Sequence, residues 1–200
     1  MLKKLIALLI LLFFIPANAT IMYNKSIVRK SKYTIVNDNL LKALNNKDQN
    51  WHYKDIRKLT KVLLVGEKEF KINHKIVLGI ISLESGFKKT AHNKNKKSVD
   101  NGLGQINNKN WNRLSRASIK VLKKYKISYV NHKYNIALNV MNCFVHLNDN
   151  RKELKRKNKL TVKTWIQSYN CGVRGTLTPD FVPIQKENYW KVFLFYYRAI

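Results

Sequence analysis

The stretch HKIVLGIISLESGF, residues 74–87, decides how the rest of the sequence is interpreted. Its nearly continuous apolar residues are typical of a buried helix, and Gly86 is a residue that can end one. Glu84 is the exception, because it shares a helical face with Val77 and Ile81. Apolar surroundings and the helix C-terminus both disfavour an ionised carboxylate. The pattern therefore predicts a carboxyl group that keeps its proton near neutral pH, as a general acid must. A solvent-directed or lysine-paired Glu84 is the structural alternative.

The whole chain is strongly basic. Its 200 residues hold 39 Lys and Arg against 11 Asp and Glu, a net charge of +28. Such a surface attracts polyanions, including nucleic acid, anionic lipid and the acidic polymers of a bacterial envelope. Drift of an AT-rich genome toward Lys and Asn codons produces the same excess, and the composition does not separate the two origins. The basic runs lack interleaved aromatic residues, so we expect no nucleic-acid partner.

The first 19 residues have the three parts of a secretory signal peptide. A basic start precedes an apolar run, and a small-residue cleavage site ends at Ala19. The apolar run is short for a bilayer span, although an uncleaved anchor is the alternative. We expect export to the periplasm or envelope of a bacterium, with no membrane span after signal removal. Export would place Cys143 and Cys171 in an oxidising compartment, where one structural disulfide and two free buried thiols are both compatible with the sequence.

Hydrophobic periodicity predicts a mainly helical chain. The predicted helices cover residues 37–44, 55–67, 74–83, 115–125, 135–147, 162–169 and 189–197. The turn-rich NGLGQIN at 101–107 predicts a short hairpin or irregular strand within an irregular segment around 98–107. The charge run from Arg151 to Lys159 is interpreted as a solvated helix end or loop. Long irregular segments in compact domains are often functional, which draws attention to the 88–107 loop.

Three short motifs occur in order: LESGF at 83–87, GLGQIN at 102–107 and SYNCG at 168–172. The ordered set resembles the soluble lytic transglycosylase family of peptidoglycan-cleaving enzymes, which carries Glu-Ser, Gly-Leu-Met-Gln and Ala-Tyr-Asn-Ala-Gly motifs at similar separations. The stretch from about His74 to Tyr196 follows this pattern. The resemblance implies a lysozyme-like α+β fold, mostly helical, with a saccharide-binding cleft between its lobes.

By position, the resemblance implies that Glu84 is the single catalytic acid/base. Four further motif residues would bind substrate in the cleft around it: Ser85, Gln105, Tyr169 and Asn170. For Gln105 and Tyr169, ordinary bonding to the backbone beneath the cleft is the alternative. The sequence departs from the family at Gly104, where Met is common, and at Ser168 and Cys171, where Ala is common. These departures concern the lining and packing of the cleft.

The implied reaction cleaves the β-1,4 bond between N-acetylmuramic acid and N-acetylglucosamine. Glu84 would protonate the departing oxygen and then take the proton of the muramoyl C6 hydroxyl, which closes into a 1,6-anhydro product. Such an enzyme is a carbon-oxygen lyase acting on polysaccharides, and we expect no metal or cofactor. We therefore expect a signal peptide over 1–19, a lead-in over 20–50 and, by the resemblance, a lysozyme-like transglycosylase catalytic domain over 51–200. The string SVDNGLGQ at 98–105 looks most like members attached to conjugation and type IV secretion machines, so such a machine is an implied partner besides the glycan strands.

Two other functions remain open. Asp100 precedes the Gly-Leu-Gly-Gln turn, and ordinary glycoside hydrolysis uses two carboxylates, so a lysozyme-type hydrolase with Glu84 and Asp100 is one alternative. Asp100 could instead cap the turn through its side chain. The alternative of another class is a non-catalytic cationic cell-wall-binding protein. Its support is the basic run at 151–159 and a second cluster in the loop, formed by Lys94, Lys96 and Lys97.

Overall fold

The computed structural model describes residues 32–44, 51–94, 98–180 and 182–200. In these residues seven helices are present: α1 (32–44), α2 (Tyr53–Phe70), α3 (His74–Ser85), α4 (Asn108–Lys124), α5 (Ile136–Arg156), α6 (Val162–Leu177) and α7 (Pro183–Ala199). Three short strands, β1 (His92–Lys94), β2 (Val99–Asn101) and β3 (Ile106–Asn107), form an antiparallel sheet in that order. The mainly helical class with a small hairpin segment is thereby confirmed. The predicted signal peptide at 1–19 and the loop residues Lys96 and Lys97 lie outside the described residues.

Helix α5 is the central element of the compact unit Val36–Ile200. It packs against α2, α4 and α6, while α7 packs against α3 and α6. Phe144 of α5 is fully buried and stacks on Phe70, with ring centroids 6.2 Å apart. Gly66 of α2 faces Phe144, and a Cβ at this position would overlap the phenyl ring. The absent side chain at Gly66 therefore allows α2 to approach the core closely. Burial of a side chain such as that of Phe144 contributes about 1.5–3 kcal/mol to stability.

Helix α1 starts earlier than the predicted helix at 37–44 and lies in the segment that the sequence analysis assigned to a lead-in. Val36, Leu40 and Leu44 recur at helical spacing and are buried in the common core. The hydroxyl of Thr60 in α2 donates to Asn37 Oδ1 at 3.3 Å. The compact unit therefore begins before residue 51, because this single apolar stripe of α1 is packed.

Helix α4 begins at Asn108 and not near Ser115 as predicted. The side chain of Asn107 caps it by accepting a hydrogen bond from the Lys109 backbone N–H at 3.0 Å. Trp111 and Leu114 in its first turns are buried. The cap residue is also the last residue of β3, so the helix begins directly after the strand and residues 108–110 belong to it.

Helices α5 and α6 also run further than predicted. Helix α5 continues to Arg156, so the charge run is mostly helical: Leu154 is fully buried in it, and Arg151 donates to the carbonyl of Phe70 at 2.7 Å. Helix α6 does not end at Gly172 but kinks there, with φ 70° and ψ 166°, and continues to Leu177. The predicted helices within α2 and α7 are correct in place and shorter than observed. Across the described ranges, no helix combines the length and apolar character needed to cross a membrane.

Candidate active site

A cavity of about 370 Å³ lies where the end of α3, the β2–β3 turn, the start of α4 and the middle of α5 and α6 meet. This volume is within the range of small-ligand sites. Five of the sequence-predicted site residues line it: Glu84, Asp100, Gln105, Tyr169 and Asn170. Ser85 is not among the lining residues, because its hydroxyl is directed along its own helix and donates to the Ile81 carbonyl at 3.2 Å. The structure thus brings all three sequence motifs to one cavity.

Glu84 occupies the last turn of α3, above an apolar helical face. Val77 and Ile81 on that face are fully buried, and Asn73 caps the start of the helix by accepting from the Lys75 N–H at 2.9 Å. Gly86 ends the helix in the left-handed region, with φ 56°. The local sequence therefore holds the Glu84 backbone rigidly while its side chain reaches the cavity wall.

Burial raises the pKa of Glu84 to about 7. The hydrogen bond from Tyr189 acts in the opposite direction, and the negative charge of Asp100 adds to the increase. Desolvation is the largest of these influences because a carboxylate loses hydration that a single neutral donor does not replace. Near neutral pH, Glu84 therefore exists in both protonation states and can donate or accept a proton.

Tyr189 contacts Glu84 directly and was not predicted from the sequence as a residue of the site. Its hydroxyl donates to Glu84 Oε1 at 2.6 Å, across the packing of α7 against α3. The pKa of the Tyr189 phenol is raised well above its usual value by burial and by the neighbouring Glu84, so it remains a donor. One sequence feature could have indicated it: Tyr189 lies four residues before the buried Phe193 and so shares its inward face.

The turn between β2 and β3 is fixed from below by Asn139 of α5. This buried side chain donates to the carbonyls of Asn101 and Lys133, both at 2.9 Å, and accepts from the Gly104 N–H at 2.8 Å. Gly102 has φ 74°, and a Cβ there would overlap the Asn139 amide. The glycine and the asparagine together hold the turn that carries Gln105 to the cavity.

Gly104, where the family often has Met, is enclosed by Cys143 and Tyr169. A Cβ at Gly104 would overlap Cys143 Sγ and lie 2.8 Å from the Tyr169 hydroxyl. That hydroxyl donates to the Gly104 carbonyl at 2.8 Å, the backbone role considered as an alternative for Tyr169. Burial raises the pKa of Cys143 to about 12, so its thiol stays neutral. Cys143 and Tyr169 therefore occupy the space beside Gly104 that a Met side chain would need in the family motif.

Gln105 and Asn170 offer polar groups to the cavity. Gln105 has φ 47°, and its Nε2 donates to the Gly102 carbonyl at 2.9 Å. Within the described residues its Oε1 accepts no hydrogen bond. Asn170 is exposed at the edge of the cavity, next to the kink at Gly172, where a Cβ would meet open space. Both side chains are available to bind hydroxyl or acetamido groups of a sugar.

His146 of α5 lines the cavity and was not predicted to do so. Its ring contacts the ring of Tyr169 edge to face, with centroids 5.0 Å apart. Burial lowers the pKa of His146 to about 4, so its imidazole is neutral at physiological pH. Its Nδ1 has no hydrogen-bond partner among the described residues. The sequence signal was weak, because a single His on an apolar helical face is usually a core residue.

Asp100 lies on β2 opposite Asn107 of β3, whose Nδ2 donates to Asp100 Oδ1 at 2.6 Å.

Both cysteines, Cys143 and Cys171, are free. The disulfide considered between them is not formed, because Cys143 Sγ contacts the Tyr169 hydroxyl at 3.3 Å while Cys171 Sγ contacts Thr176 Oγ1 at 3.2 Å.

The family profile described as the transglycosylase SLT domain matches residues 62–179, more than half of the chain. The match contains every lining residue of the cavity and ends before Tyr189. No curated protein and no solved structure matches the chain significantly.

Proposed function

Because the chain belongs to the transglycosylase SLT domain family, we propose that it cleaves the β-1,4 bond between N-acetylmuramic acid and N-acetylglucosamine, with Glu84 as its single acid/base. Membership itself makes the protein a transglycosylase-type enzyme of the lysozyme-like superfamily that acts on peptidoglycan, which implies an extracytoplasmic location. The product and the catalytic residue are the proposed part. The observation that supports them is a partly buried carboxyl with a pKa of about 7 on the wall of a sugar-sized cavity.

In the first step, protonated Glu84 donates its proton to the glycosidic oxygen as the bond to the anomeric carbon breaks. The N-acetylglucosamine side leaves with a hydroxyl group, and positive charge develops at the muramoyl anomeric carbon. The neighbouring acetamido oxygen supports this charge. General acid catalysis of this kind contributes about 10²–10⁴-fold when the acid has a pKa near the working pH.

In the second step, the Glu84 carboxylate removes the proton of the muramoyl C6 hydroxyl. The oxygen then forms a bond to the anomeric carbon, which gives the 1,6-anhydro ring and restores protonated Glu84. No water is consumed, so the reaction needs no second carboxylate to activate one. Tyr189 holds Oε1 at 2.6 Å and thereby leaves Oε2 for proton transfer in both steps. Gln105 and Asn170 bind sugar groups from the other walls of the cavity.

A hydrolase that uses Asp100 is the second candidate. Asp100 lines the same cavity, and its charge contributes to the raised pKa of Glu84. Asp100 Oδ1 accepts the short hydrogen bond from Asn107 that joins β2 to β3, while Oδ2 keeps its lone pairs. The transglycosylase is favoured because the chain matches the SLT family.

Mass spectrometry of digested peptidoglycan separates the two reactions. We expect 1,6-anhydromuramoyl fragments, each lighter by one water than the corresponding hydrolysis product. Reducing ends in their place would reject the transglycosylase and support the hydrolase. The Glu84→Gln variant is the matched control, and unchanged cleavage by it would exclude Glu84 as the acid/base. Absence of cleavage by the parent protein itself would favour the non-catalytic cell-wall binder.

Export and a secretion-machine partner belong to the same proposal. Their support is the signal-peptide pattern at 1–19 and the SVDNGLGQ string at 98–105. The proposed division is a signal peptide over 1–19, a lead-in over 20–50 and a catalytic domain over 51–200, with residues 36–44 of the lead-in packed into the core of the compact unit. N-terminal sequencing of the secreted protein should give Thr20 first, and a retained Met1 would contradict cleavage after Ala19.

A further inference from the structure

A second and larger depression, of about 650 Å³, lies between α2 and the segment that follows α4. We call it the α2 groove. Its rim is cationic and is formed by Lys54, Arg57, Lys58, Lys61 and Lys126. Its floor is aliphatic and is formed by Leu64, Val65 and Ile127. No carboxylate lines it.

The α2 groove is distinct from the catalytic cavity. Asn110 near the start of α4 lines the cavity, whereas Tyr125 just after the end of α4 lines the groove. With a helical rise of about 1.5 Å per residue, these two positions are about 22 Å apart along the axis. A ligand in the groove therefore contacts neither Glu84 nor the reacting sugars.

Four of the rim cations follow one face of α2. Lys54, Arg57, Lys58 and Lys61 stand at positions i, i+3, i+4 and i+7, where side chains of a helix are neighbours. Like charges at these spacings destabilise a helix, and none of the four forms an ion pair with a described carboxylate. Arg57 lies over the ring of the exposed Tyr53, 5.6 Å from its centroid. A bound anion would relieve the repulsion within the row.

None of the three acidic residues of α2 lines the groove, and each has a basic partner outside the groove lining. The pairs are Asp55 with Lys89 at 2.6 Å, Glu67 with His74 at 2.7 Å, and Glu69 with Lys124 at 2.8 Å. Lys89, His74 and Lys124 do not line the groove, although Glu69 Oε2 also accepts a hydrogen bond from the hydroxyl of the lining residue Tyr125 at 3.0 Å. The unpaired cations and the paired acids are separated on the same helix, so the groove selects for an anionic ligand.

The aliphatic floor of the α2 groove favours a ligand that carries apolar groups as well as negative charge. Ile127 is fixed by the end of α4, where its N–H donates to the Leu122 carbonyl at 2.9 Å and Lys126 adopts φ 52°. The stem peptides of peptidoglycan combine both chemistries, because they join alanine methyl groups to free carboxylates. The neutral sugar rings of the glycan carry neither in comparable density.

We propose that the α2 groove is a second peptidoglycan site, which binds stem-peptide carboxylates of the polymer that is cut about 22 Å away. The identity of this ligand rests on the proposed function. The groove holds the enzyme on the wall and takes no part in bond cleavage. Because four of its five cations are exposed and Lys58 is half-buried, binding through the groove weakens as ionic strength rises.

The test compares three variants, each in a Glu84→Gln background that keeps the strands intact. The groove variant replaces Lys54, Arg57, Lys58 and Lys61 by Gln. A matched control removes the same charge from the exposed end of α5, at Lys152, Lys155, Arg156 and Lys157. A third variant keeps the charge, with Arg at positions 54, 58 and 61. Affinity is measured by titration with soluble peptidoglycan strands and with the same strands after their carboxylates have been amidated.

We expect roughly tenfold weaker binding of native strands by the groove variant, and little change for the control and the charge-keeping variant. On amidated strands the groove variant and its parent should bind equally. Equal weakening of the groove variant and the control would overturn the proposal, because net charge alone would then explain binding. Unchanged binding by the groove variant, or an equal loss on amidated strands, would overturn it as well.

Cleavage assays keep this result separate from the proposed function. With Glu84 restored, the groove variant should cleave short soluble fragments at the parent rate and intact wall more slowly. If Glu84→Gln itself still cleaves, the proposed catalytic role fails while the binding comparison stands. A parallel loss on short fragments in the groove variant would contradict a site that acts on binding alone.

Discussion

The catalytic cavity and the α2 groove lie at opposite ends of α4 and use charge in opposite ways. The cavity holds a partly buried acid whose pKa is raised to about 7, in a protein of net charge +28. The groove presents a row of exposed cations over an aliphatic floor. Under the two proposals, reactivity comes from the desolvation of one group, whereas affinity for a polymer comes from the sum of many solvated charges.

Desolvation outweighs hydrogen bonding at Glu84. The increase of its pKa from 4.5 to about 7 corresponds to about 3 kcal/mol against the ionised form in the folded protein. The Tyr189 hydroxyl lowers the pKa and only partly offsets burial. At the exposed rim of the groove, solvent screening keeps each charge contribution below about 1 kcal/mol.

Replacement of Glu84 by Gln breaks the contrast between the two regions most severely. We expect at least a roughly 10³-fold loss of glycan cleavage, because the amide can neither donate nor accept the transferred proton. Binding to the wall through the groove should persist. Timed digestion with product masses measures the loss, and a residual rate within about tenfold of the parent would exclude Glu84 as the acid/base.

The Glu84→Gln variant should also change the stability of the folded protein in a pH-dependent way. Glu84 binds its proton more tightly in the folded protein than in the unfolded chain, so its contribution favours folding at low pH. That contribution is lost as pH rises from about 4.5 to about 7. Glu84→Gln should therefore be more stable than the parent at pH 8, by up to about 3 kcal/mol, and close to it at pH 4. Thermal unfolding at both pH values measures this, and an equal difference at the two would contradict the raised pKa.

Replacement of Gly104 by Ala tests how tightly the residues beneath the cavity are packed, in contrast to the open α2 groove. The new methyl group would overlap Cys143 Sγ, so we expect a loss of about 1–3 kcal/mol in the free energy of unfolding. Addition of Cys143→Ala should recover part of the lost stability, because it removes the sulfur that the new methyl group overlaps. The recovery is incomplete because the methyl group still lies close to the Tyr169 hydroxyl. Denaturant titration of the single and double variants measures the coupling. Simple additivity of the two would show that the overlap is absent.

Loss of the Tyr189 hydroxyl has a smaller effect on the same carboxyl. Tyr189→Phe removes the hydrogen bond that lowers the pKa of Glu84, so the fall of activity at high pH should move to higher pH. The rate should decrease roughly tenfold, because Oε1 is no longer held. Tyr197→Phe on the same helix is the control. A rate loss with an unmoved pH profile would assign Tyr189 a purely structural role.

Asp100→Asn should have the smallest effect. The amide can still bond to Asn107, and a single acid/base needs no partner, so we expect a loss below about tenfold with anhydro products retained. A hydrolase would lose about 10²-fold or more. The pH dependence of the Asn variant, measured beside the parent, should show a slightly lower pKa of Glu84, because the charge of Asp100 contributes to raising it.

Local patterns predicted the helix that carries Glu84. Its apolar run, the glycine that ends it and the acid on its inner face are all written within fourteen residues, 74–87. The turn that presents Gln105 was likewise visible in its glycines. These features depend on near neighbours in the chain, and such interactions leave a periodic trace.

Tertiary contacts left no such trace. Tyr189 meets Glu84 from 105 positions away in the sequence. Asn139 bonds to the β2–β3 turn from 35 and 38 positions away, and nothing in the sequence around it indicates this role. The ends of helices were misjudged for the same reason. Leu154 is buried by α5 packing, and the Asn107 cap starts α4 earlier than apolar periodicity does.

The protonation of Glu84 can be measured directly. A ¹³C NMR titration of the side-chain carboxyl groups, with the Glu84 signal assigned by its absence from Glu84→Gln, gives its midpoint in the folded protein. A midpoint near pH 7 is predicted, above the value of 4.5 for a solvated glutamate. A midpoint near 4.5 would show a carboxyl that is ionised at neutral pH, and the single acid/base would then have to lie elsewhere.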